Sequence, residues 1–169
     1  IPVDPYYLSW KAREYDFYTK FIELAAEVNQ SMPFHTVALI AEALSQQGKG
    51  LNGAKILILG VSFKRDIDDA RNSPAERVME LLQSRGAVIS YHDPYVPEFH
   101  TGDSVFQRAP QVFYNTALTP ENIRAADICV IITGHRVVDY AMVLKHAACI
   151  MDATNVTLGM PQAERVIRL

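Results

Sequence analysis

The chain is poor in cysteine, in long apolar runs and in net charge, and each shortage excludes a class of protein. Two cysteines in 169 residues cannot form the framework of a small disulfide-rich secreted protein. No apolar run reaches membrane-spanning length and no signal peptide is visible, so we expect no membrane partner. A formal net charge of −3, without a stripe of Lys and Arg, argues against nucleic acid as a partner.

What remains is the composition of a cytoplasmic globular protein. Hydrophobic residues make up 49% of the chain and charged residues 21%, so the chain has enough apolar surface to bury a core. Cys129 and Cys149 lie in apolar, strand-like runs, which predicts buried thiols rather than a disulfide or a reactive pair.

Glycine is also scarce where a dinucleotide would need it. Ile56 to Leu59 form an unbroken apolar run, as expected of a strand buried on both faces of a parallel sheet. The turn that follows contains only Gly60, whereas the dinucleotide fingerprint G-x-G-x-x-G needs three glycines. A strand that leads through a basic loop to a helix is still a common phosphate site, because helix N-termini attract anions. Ser73 and Pro74 predict the start of that helix.

The charged side chains of this loop have both a functional and a structural interpretation. Lys64 could reach a phosphate as a point charge, although the residue alone favours a solvated lysine. Asp66, Asp68 and Asp69 do not have the spacing of an EF-hand loop, so no metal site is predicted. We expect these carboxylates to form salt bridges and caps, with Arg71 free to bind an anion.

Aspartate and histidine elsewhere give weaker signals. Asp93, which ends a predicted strand and precedes Pro94, could bind a ribose hydroxyl or cap a turn, and we favour the turn. The remaining histidines have no spacing typical of a zinc site or a catalytic dyad: His35, His100, His135 and His146.

The first part of the chain is predicted to be helical. Over 6–47, apolar residues recur every three or four positions. Met32-Pro33 predicts a break or kink, and Gly48 predicts the end of the second helix. Such a long helix either links or dimerises domains or folds onto its own sheet, and periodicity does not choose between these uses. We divide the chain into a helical segment, 1–50, and an α/β domain, 51–169.

Strands and helices alternate over the second part of the chain. The predicted strands are 55–59, 88–92, 112–114, 128–132, 149–152 and 165–169, and the predicted helices are 74–85, a segment that begins at Pro120, and 137–146. This alternation predicts a doubly wound, Rossmann-like parallel sheet of the α/β class.

Several groups of residues together resemble the UDP-glucose/GDP-mannose dehydrogenase family. Ile1-Pro2-Val3-Asp4-Pro5 is similar to the segment around the family's catalytic cysteine, G-G-x-C-x-P-x-D-P. Phe63-Lys64-Arg65-Asp66, continuing to Ser73-Pro74, is similar to its UDP-binding domain, as is Tyr91-His92-Asp93-Pro94. Asn29-x-x-Met32-Pro33 on the long helix is also similar. Within the family, the chain resembles the UDP-N-acetyl-sugar 6-dehydrogenases, bacterial enzymes that make uronic acids for surface polysaccharides.

The resemblance implies an architecture and a reaction. Family members have an N-terminal NAD-binding Rossmann domain, a central helical segment used for homodimerisation and a C-terminal Rossmann-like domain that binds UDP. They oxidise the C6 alcohol of a UDP-sugar to a carboxylate in two NAD-dependent steps, through a thiohemiacetal on the cysteine. By this resemblance the chain contains the dimerisation helix and the UDP-binding domain.

The resemblance also assigns roles to single residues. Asp4 matches a carboxylate that assists proton transfer or orients water. Phe63 and Lys64 match residues that line the UDP-sugar, with Lys64 as its charge partner, and Arg71 matches an arginine that reaches NAD. Thr154 stands where the family has the arginine of D-x-R-N, a contact to the nucleotide sugar. Loss of that arginine should weaken binding of the pyrophosphate by a few kcal/mol at most, on the order of one charged hydrogen bond.

Two interpretations of the chain as a whole stay open at this stage. The family cysteine would precede Ile1, and Cys129 and Cys149 cannot replace it because both lie in predicted core strands. The missing initiator Met favours a fragment of a longer dehydrogenase, and we expect no dehydrogenase activity from the chain alone. The alternative is a stand-alone, non-catalytic module for nucleotide-sugar binding or oligomerisation.

Overall fold

The computed structural model describes residues 4–102 and 110–169, with five α-helices and seven β-strands in those ranges. In chain order they are α1 Asp4–Arg13, α2 Lys20–Ser45, β1 Lys55–Leu59, α3 Pro74–Ser84, β2 Val88–His92, β3 Glu98–Thr101, β4 Gln111–Tyr114, α4 Pro120–Ala125, β5 Ile128–Ile131, α5 Tyr140–His146, β6 Ile150–Asp152 and β7 Ile167–Arg168. The first three residues of the family-like segment, 1–3, and part of the loop predicted before 112–114 lie outside the described residues.

Five strands form the central sheet, and each pairs in parallel with its neighbours. Their order is β2-β1-β5-β6-β7. In the interior of the sheet, Ile58 of β1 lies opposite Tyr91 on one side and Val130 on the other. All three residues are fully buried. The predicted parallel sheet is therefore confirmed, and β1 lies between β2 and β5.

The two faces of β1 belong to two separate layers of helices. Ile56 and Ile58 pack with residues of α2 and α3, whereas Leu57 and Leu59 pack with residues of α4 and α5. Successive side chains of a strand point to opposite faces, so a strand covered on both sides needs an unbroken apolar run. The sheet is doubly wound, as predicted.

The second half of α2 is part of this core. Val37, Ile40 and Leu44 are fully buried and pack in the same cluster as β1. The helix ends at Ser45, and Gly48, with a φ of 72°, donates its N–H to the Ser45 carbonyl at 2.9 Å. The predicted end at glycine is confirmed. Within the described ranges, no helix combines the length and hydropathy that crossing a membrane requires.

The predicted break near Pro33 is wrong, because α2 is continuous through that proline, whereas the alternative of a kink stays a prediction. Proline removes one helical hydrogen bond, but Pro33 is buried, and the packing of its face offsets that loss. The chain breaks instead between α1 and α2. There Asp16 has a positive φ of 55°, and the N–H of Phe17 donates back to the Ala12 carbonyl at 3.1 Å. Aspartate tolerates this left-handed conformation better than most residues, and it ends α1.

Capping side chains define the start of α3, α4 and α5. The Ser73 side chain accepts the N–H of Ala75 at 3.2 Å, which confirms the predicted start of α3. α5 begins at Tyr140 rather than at the predicted Val137, because the Asp139 side chain caps the helix at its N-terminus.

A second, two-stranded sheet was not predicted. β3, predicted as loop, pairs antiparallel with β4 outside the main sheet. Phe99 of β3 is buried against Tyr91 of β2, with ring centres 6.1 Å apart. This tertiary contact stabilises β3 as a strand. The local sequence predicts a loop instead, because Pro94 and Pro97 lie beside it.

The two cysteines lie on opposite sides of the sheet. Cys129 is buried with the residues of α4 and α5, whereas Cys149 is partly buried against the layer of α2 and α3. Burial raises the pKa of the Cys129 thiol to about 12, and the nearby Cys149 adds to this shift. Both thiols are unpaired, and Cys129 is buried as predicted, whereas Cys149 is only partly buried.

Candidate functional site

The carboxyl edge of the parallel sheet gathers most of the polar residues singled out above. β1, β2, β5 and β6 run in the same direction, so the segments that follow them meet at this edge. These segments are 60–66, 93–95, 133–136 and 152–157. Ligands of open α/β sheets bind outside the carboxyl ends of the strands, which makes this edge the first candidate for a site.

Asp93, directly after β2, joins two of these segments. Its Oδ2 accepts the backbone N–H groups of Val61 at 2.8 Å and Ser62 at 3.0 Å. The Nε2 atom of His135 lies 3.0 Å from the same oxygen, and Oδ1 accepts the N–H of Tyr95 at 2.9 Å. The side chain is fully buried. Asp93 therefore caps a turn, as favoured from the sequence, and also holds the turn after β1.

The Asp93 carboxylate occupies the place where a dinucleotide-binding turn would hold its pyrophosphate. In such turns the backbone N–H groups after the first strand point at the phosphates. Here the N–H groups of Val61 and Ser62 point at Asp93 instead. The N–H of Phe63 is also engaged, because it donates to the Asp69 carbonyl at 2.8 Å. These three N–H groups are therefore not available to bind an anion.

Gly60 serves packing between strands rather than close approach of a phosphate. Its φ is +81°, and a Cβ atom on it would lie 2.1 Å from the carbonyl oxygen of Thr133. Thr133 in turn donates its hydroxyl to the Ser62 carbonyl at 2.7 Å. The turns after β1 and β5 thus pack closely enough to exclude any side chain at position 60.

A glycine run with fingerprint spacing, 48–53, lies outside the carboxyl edge of the sheet. Its glycines are Gly48, Gly50 and Gly53, but the run follows a helix and leads into β1. It therefore lies at the amino end of the strand, and Gly53 donates its N–H to the Gly86 carbonyl at 2.8 Å. A dinucleotide fingerprint must follow a strand and open a helix, so these glycines form a connection and no binding turn.

Phe63 and Lys64 lie at the tip of the loop after β1. Lys64 is exposed, and its Nζ lies 5.7 Å from the centre of the half-buried Phe63 ring. The Lys64 carbonyl accepts the Ser62 hydroxyl at 2.9 Å, which holds the backbone of the tip. A fixed backbone with an exposed ammonium group suits the binding of an anionic ligand.

Two of the three loop carboxylates, Asp66 and Asp69, form the salt bridges that the sequence predicts. Asp66 accepts the backbone N–H of Arg136 at 2.9 Å and also pairs with its guanidinium group. Asp69 forms a two-pronged pair with Arg71, whose hydrogen bonds lower the pKa of Asp69 to about 2. Arg71 is thus engaged by Asp69 rather than free, although 86% of its side chain remains exposed.

Thr154 lies after β6 and is held by Asp152. Its N–H and its hydroxyl both donate to Asp152 Oδ1, at 2.9 and 3.0 Å, and Thr157 donates in the same way to Oδ2. Burial, the largest influence, raises the pKa of Asp152, but the four hydrogen bonds together hold it below its ordinary value of 3.8. Thr154 also packs closely against Gly134, because a Cβ atom on Gly134 would lie 2.9 Å from the hydroxyl oxygen of Thr154.

Asp4 stands apart from these residues. It is exposed in the first turn of α1, and α1 packs against α2. The two helices enclose an open cleft of about 330 Å³, lined by Tyr6, Ser9, Trp10, Arg13, Glu23, Glu27 and Gln30. Within it, Glu23 accepts hydrogen bonds from Ser9 at 2.7 Å and from Arg13 at 2.8 Å. These polar groups satisfy one another, so the cleft is a weaker candidate for a site than the sheet edge.

The chemistry that the sheet edge offers is binding. Lys64, Arg65 and Arg136 present cationic groups there, and all three are exposed. Both ring nitrogens of the buried His135 are engaged by protein groups. Among the described residues, no group of three or more His, Cys, Asp or Glu side chains could hold a metal ion. The sequence analysis did not place His135 in this site. Its position shortly after a buried strand is the sequence feature that could have indicated it.

Fold and site together define a Rossmann-like α/β domain whose carboxyl edge presents cationic side chains to a ligand. The chain belongs to the UDP-glucose/GDP-mannose dehydrogenase family, because residues 57–158 match the UDP binding domain of that family. The resemblance found in the sequence is thereby confirmed. The match contains the turn after β1, Asp93, His135 and Thr154.

Curated relatives of the chain include UDP-N-acetyl-sugar dehydrogenases. The chain is 28% identical over 137 residues to the UDP-N-acetyl-D-mannosamine dehydrogenase of Methanococcus maripaludis, covering 81% of this chain and 28% of the relative. It is 36% identical over 100 residues to that of Pyrococcus horikoshii, covering 59% of this chain and 23% of the relative. These relatives support the UDP-N-acetyl-sugar branch of the family.

Solved structures agree with this relationship. The UDP-D-ManNAc dehydrogenase of Pyrococcus horikoshii has a TM-score of 0.74 at 27% identity, covering 99% of this chain and 37% of that one. The GDP-mannose dehydrogenase of Pseudomonas aeruginosa, at 17% identity, shares the fold with a TM-score of 0.72, covering 99% of this chain and 38% of that one. The chain thus spans 23% to 38% of the length of these relatives.

The packing at Gly60 yields a prediction about stability. Gly60→Ala should lower the free energy of unfolding by about 3 kcal/mol or more, because the new methyl group meets the backbone at Thr133. Gly53→Ala is the matched control, since Gly53 also has a positive φ, of +80°, but nothing within 4 Å of its Cβ position. The control should lose only the backbone strain, about 1 kcal/mol. Equal losses in urea unfolding of both variants would contradict the close packing.

The lowered pKa of Asp152 yields a prediction about pH. A carboxylate with a depressed folded pKa stabilises the fold above its ordinary value of 3.8, and this stabilisation is lost as the pH falls through the lower folded value. Asp152→Asn should therefore flatten the pH dependence of urea unfolding between about pH 2 and 5, and reduce stability at pH 7 by about 2 kcal/mol. Asp68→Asn, which removes an exposed carboxylate, is the control. An unchanged acid profile in Asp152→Asn would show that Asp152 makes no such contribution.

Proposed function

We propose that this chain is the C-terminal part of an NAD-dependent UDP-sugar 6-dehydrogenase, a cytoplasmic oxidoreductase that converts the sugar C6 alcohol to a uronate for polysaccharide biosynthesis. The family membership and the names of the relatives support the reaction class. The limited share of those relatives that the chain spans supports the assignment to one part of a larger enzyme. In this proposal 1–50 is the central helical segment and 51–169 is the UDP-binding domain.

The observation that supports the proposal is the loop 60–66 at the sheet edge, whose backbone is held by hydrogen bonds and whose tip is cationic. The backbone on both sides of Lys64 is held by internal hydrogen bonds while its ammonium group stays exposed. A diphosphate carries charge that this group can pair with, and the half-buried Phe63 ring beside it offers an apolar face. We assign Phe63 and Lys64 to UDP-sugar binding on this basis.

Thr154 should bind the same ligand more weakly than the arginine that the family has at this position. A threonine at this position supplies no planar guanidinium group, and its hydroxyl is already used on Asp152. Without a guanidinium group at position 154, Lys64 carries more of the charge pairing with the ligand. The same weakness is the observation that favours the alternative, a non-catalytic nucleotide-sugar-binding module.

The roles of Asp4 and Arg71 depend on the remainder of the enzyme. NAD would supply hydride acceptance for both oxidations, but the turn after β1 does not fit its pyrophosphate, because Asp93 engages the N–H groups there. We therefore assign NAD binding to a domain outside this chain. Arg71, exposed and aligned by Asp69, is the residue assigned to reach it, and Asp4 is assigned to proton transfer or water orientation.

Homodimerisation is proposed through the first half of α2. Phe21, Leu24 and Val28 follow one another at spacings of three and four and are 84%, 55% and 53% exposed. Such a stripe of apolar side chains on one helix face suits packing against the same face of a second copy. The pattern changes in the second half of the helix, where the apolar residues are buried against the sheet.

Calorimetric titration of the chain with UDP, UDP-glucose and UDP-N-acetylglucosamine tests the binding assignment. Lys64→Ala should weaken UDP binding about tenfold or more, and Thr154→Arg should strengthen it about tenfold, each by one charged hydrogen bond. Lys145→Ala, which removes an exposed lysine from α5, controls for the change in net charge. Equal affinities of Lys64→Ala and Lys145→Ala would refute the role of Lys64. If no variant binds, this domain alone does not form the UDP site.

Sedimentation equilibrium tests the dimer. The unmodified chain should dimerise, and the double variant Phe21→Ser/Leu24→Ser should raise the dimer dissociation constant about a hundredfold, because it removes two apolar anchors. Leu158→Ser is the control, since Leu158 is 69% exposed but lies outside the helices. A clean monomer at high concentration of the unmodified chain would exclude this dimer.

A further inference from the structure

Three fully buried polar side chains meet beneath the loop that contains Lys64. Ser62 follows β1, Asp93 follows β2 and His135 follows β5, and each has no exposed surface. The Nε2 atom of His135 lies 3.0 Å from Asp93 Oδ2 and 3.2 Å from Ser62 Oγ. Three neighbouring strands are thus connected at their carboxyl ends by one imidazole ring.

The hydrogen bonds of the ring determine which nitrogen carries its hydrogen. The backbone N–H of Asp66 donates to Nδ1 at 2.9 Å, so Nδ1 is the acceptor and Nε2 is the donor. Ser and Asp therefore share one ring nitrogen. A nucleophilic triad needs them on opposite nitrogens, so this cluster is not a catalytic triad. The arrangement connects backbone segments instead.

Asp66 has a left-handed backbone conformation that hydrogen bonds to the segment after β5 hold in place. Its φ is +62°, a conformation that aspartate adopts more readily than most residues, at a cost of about 1 kcal/mol or less. His135 holds the Asp66 N–H, and Arg136, the next residue, holds its carboxylate. One short segment after β5 thus fixes the far end of the loop.

We infer that His135 is a positioning residue that holds Phe63 and Lys64 in the geometry that binds the nucleotide, an inference that rests on the proposed function. Asp93 fixes the loop at Val61 and Ser62, and His135 fixes it again at Asp66. The loop tip lies between these two anchor points. Without the hydrogen bond from Asp66 to His135, Asp66 can leave its left-handed conformation. Lys64 then has to become ordered when the ligand binds, which costs affinity.

Two substitutions separate the two hydrogen bonds of the ring. The amide oxygen of His135→Asn can replace Nδ1 as acceptor for Asp66, whereas the amide nitrogen of His135→Gln can replace Nε2 as donor to Asp93. His135→Gln should therefore weaken UDP binding about tenfold, as expected for the loss of an ordering hydrogen bond. His135→Asn should keep the UDP affinity within about twofold while lowering the melting temperature.

Amide hydrogen exchange without ligand provides a second readout. In His135→Gln the amide of Asp66 should exchange about tenfold faster or more, because its acceptor is gone, while the amides of β1 stay protected. Val143→Ala is the control for general destabilisation, since Val143 is fully buried in the layer of α4 and α5. It should lower the melting temperature without changing the UDP affinity.

The outcomes distinguish this inference from the proposed function. Absence of UDP binding by the unmodified chain would refute the assignment of the UDP site to this domain alone and, with it, the role of His135 in binding. Unchanged exchange at Asp66 in His135→Gln would overturn the positioning role by itself. So would UDP affinities that follow the melting temperature alone across His135→Gln, His135→Asn and Val143→Ala.

Discussion

The carboxylate of Asp93 is the group on which the rest of the sheet edge depends. It lies in a fully buried place and accepts hydrogen bonds from the turn after β1, from its own turn and from His135. A buried carboxylate is stable only when its oxygens are satisfied, so these donors must stay where they are. These hydrogen bonds hold the backbone of the turn after β1, at whose tip the ammonium group of Lys64 is exposed.

The same carboxylate explains how one fold serves different ligands. In a dinucleotide-binding Rossmann turn, glycines let the pyrophosphate reach backbone N–H groups. In this chain an internal carboxylate takes those N–H groups, and the single glycine is used to pack two turns together. In the proposed function, charge recognition therefore rests on side chains at the surface. This agrees with a domain that belongs to the UDP-binding family.

The long helix α2 has two halves with different environments. Its second half is buried with β1 and α3 and belongs to the core of the α/β domain. Its first half carries exposed apolar side chains at helical spacing, including Phe21, which is 84% exposed. Because an apolar surface of this kind costs free energy in water, it is suited to a second copy of the chain. A periodic pattern alone predicts the helix but cannot say which half is covered by the chain itself.

The sequence by itself determined the class of the fold, most of the strands and the family. Unbroken apolar runs such as Ile56 to Leu59 report burial on both faces, and residues such as Ser73 and Gly48 mark helix ends by local chemistry. Only the tertiary structure decided the rest. Pro33 stays helical and β3 becomes a strand because packing outweighs local preference. Asp93 and His135 are 42 positions apart and carry no joint signal in the sequence. They meet because parallel strands bring their carboxyl ends to the same edge of the sheet.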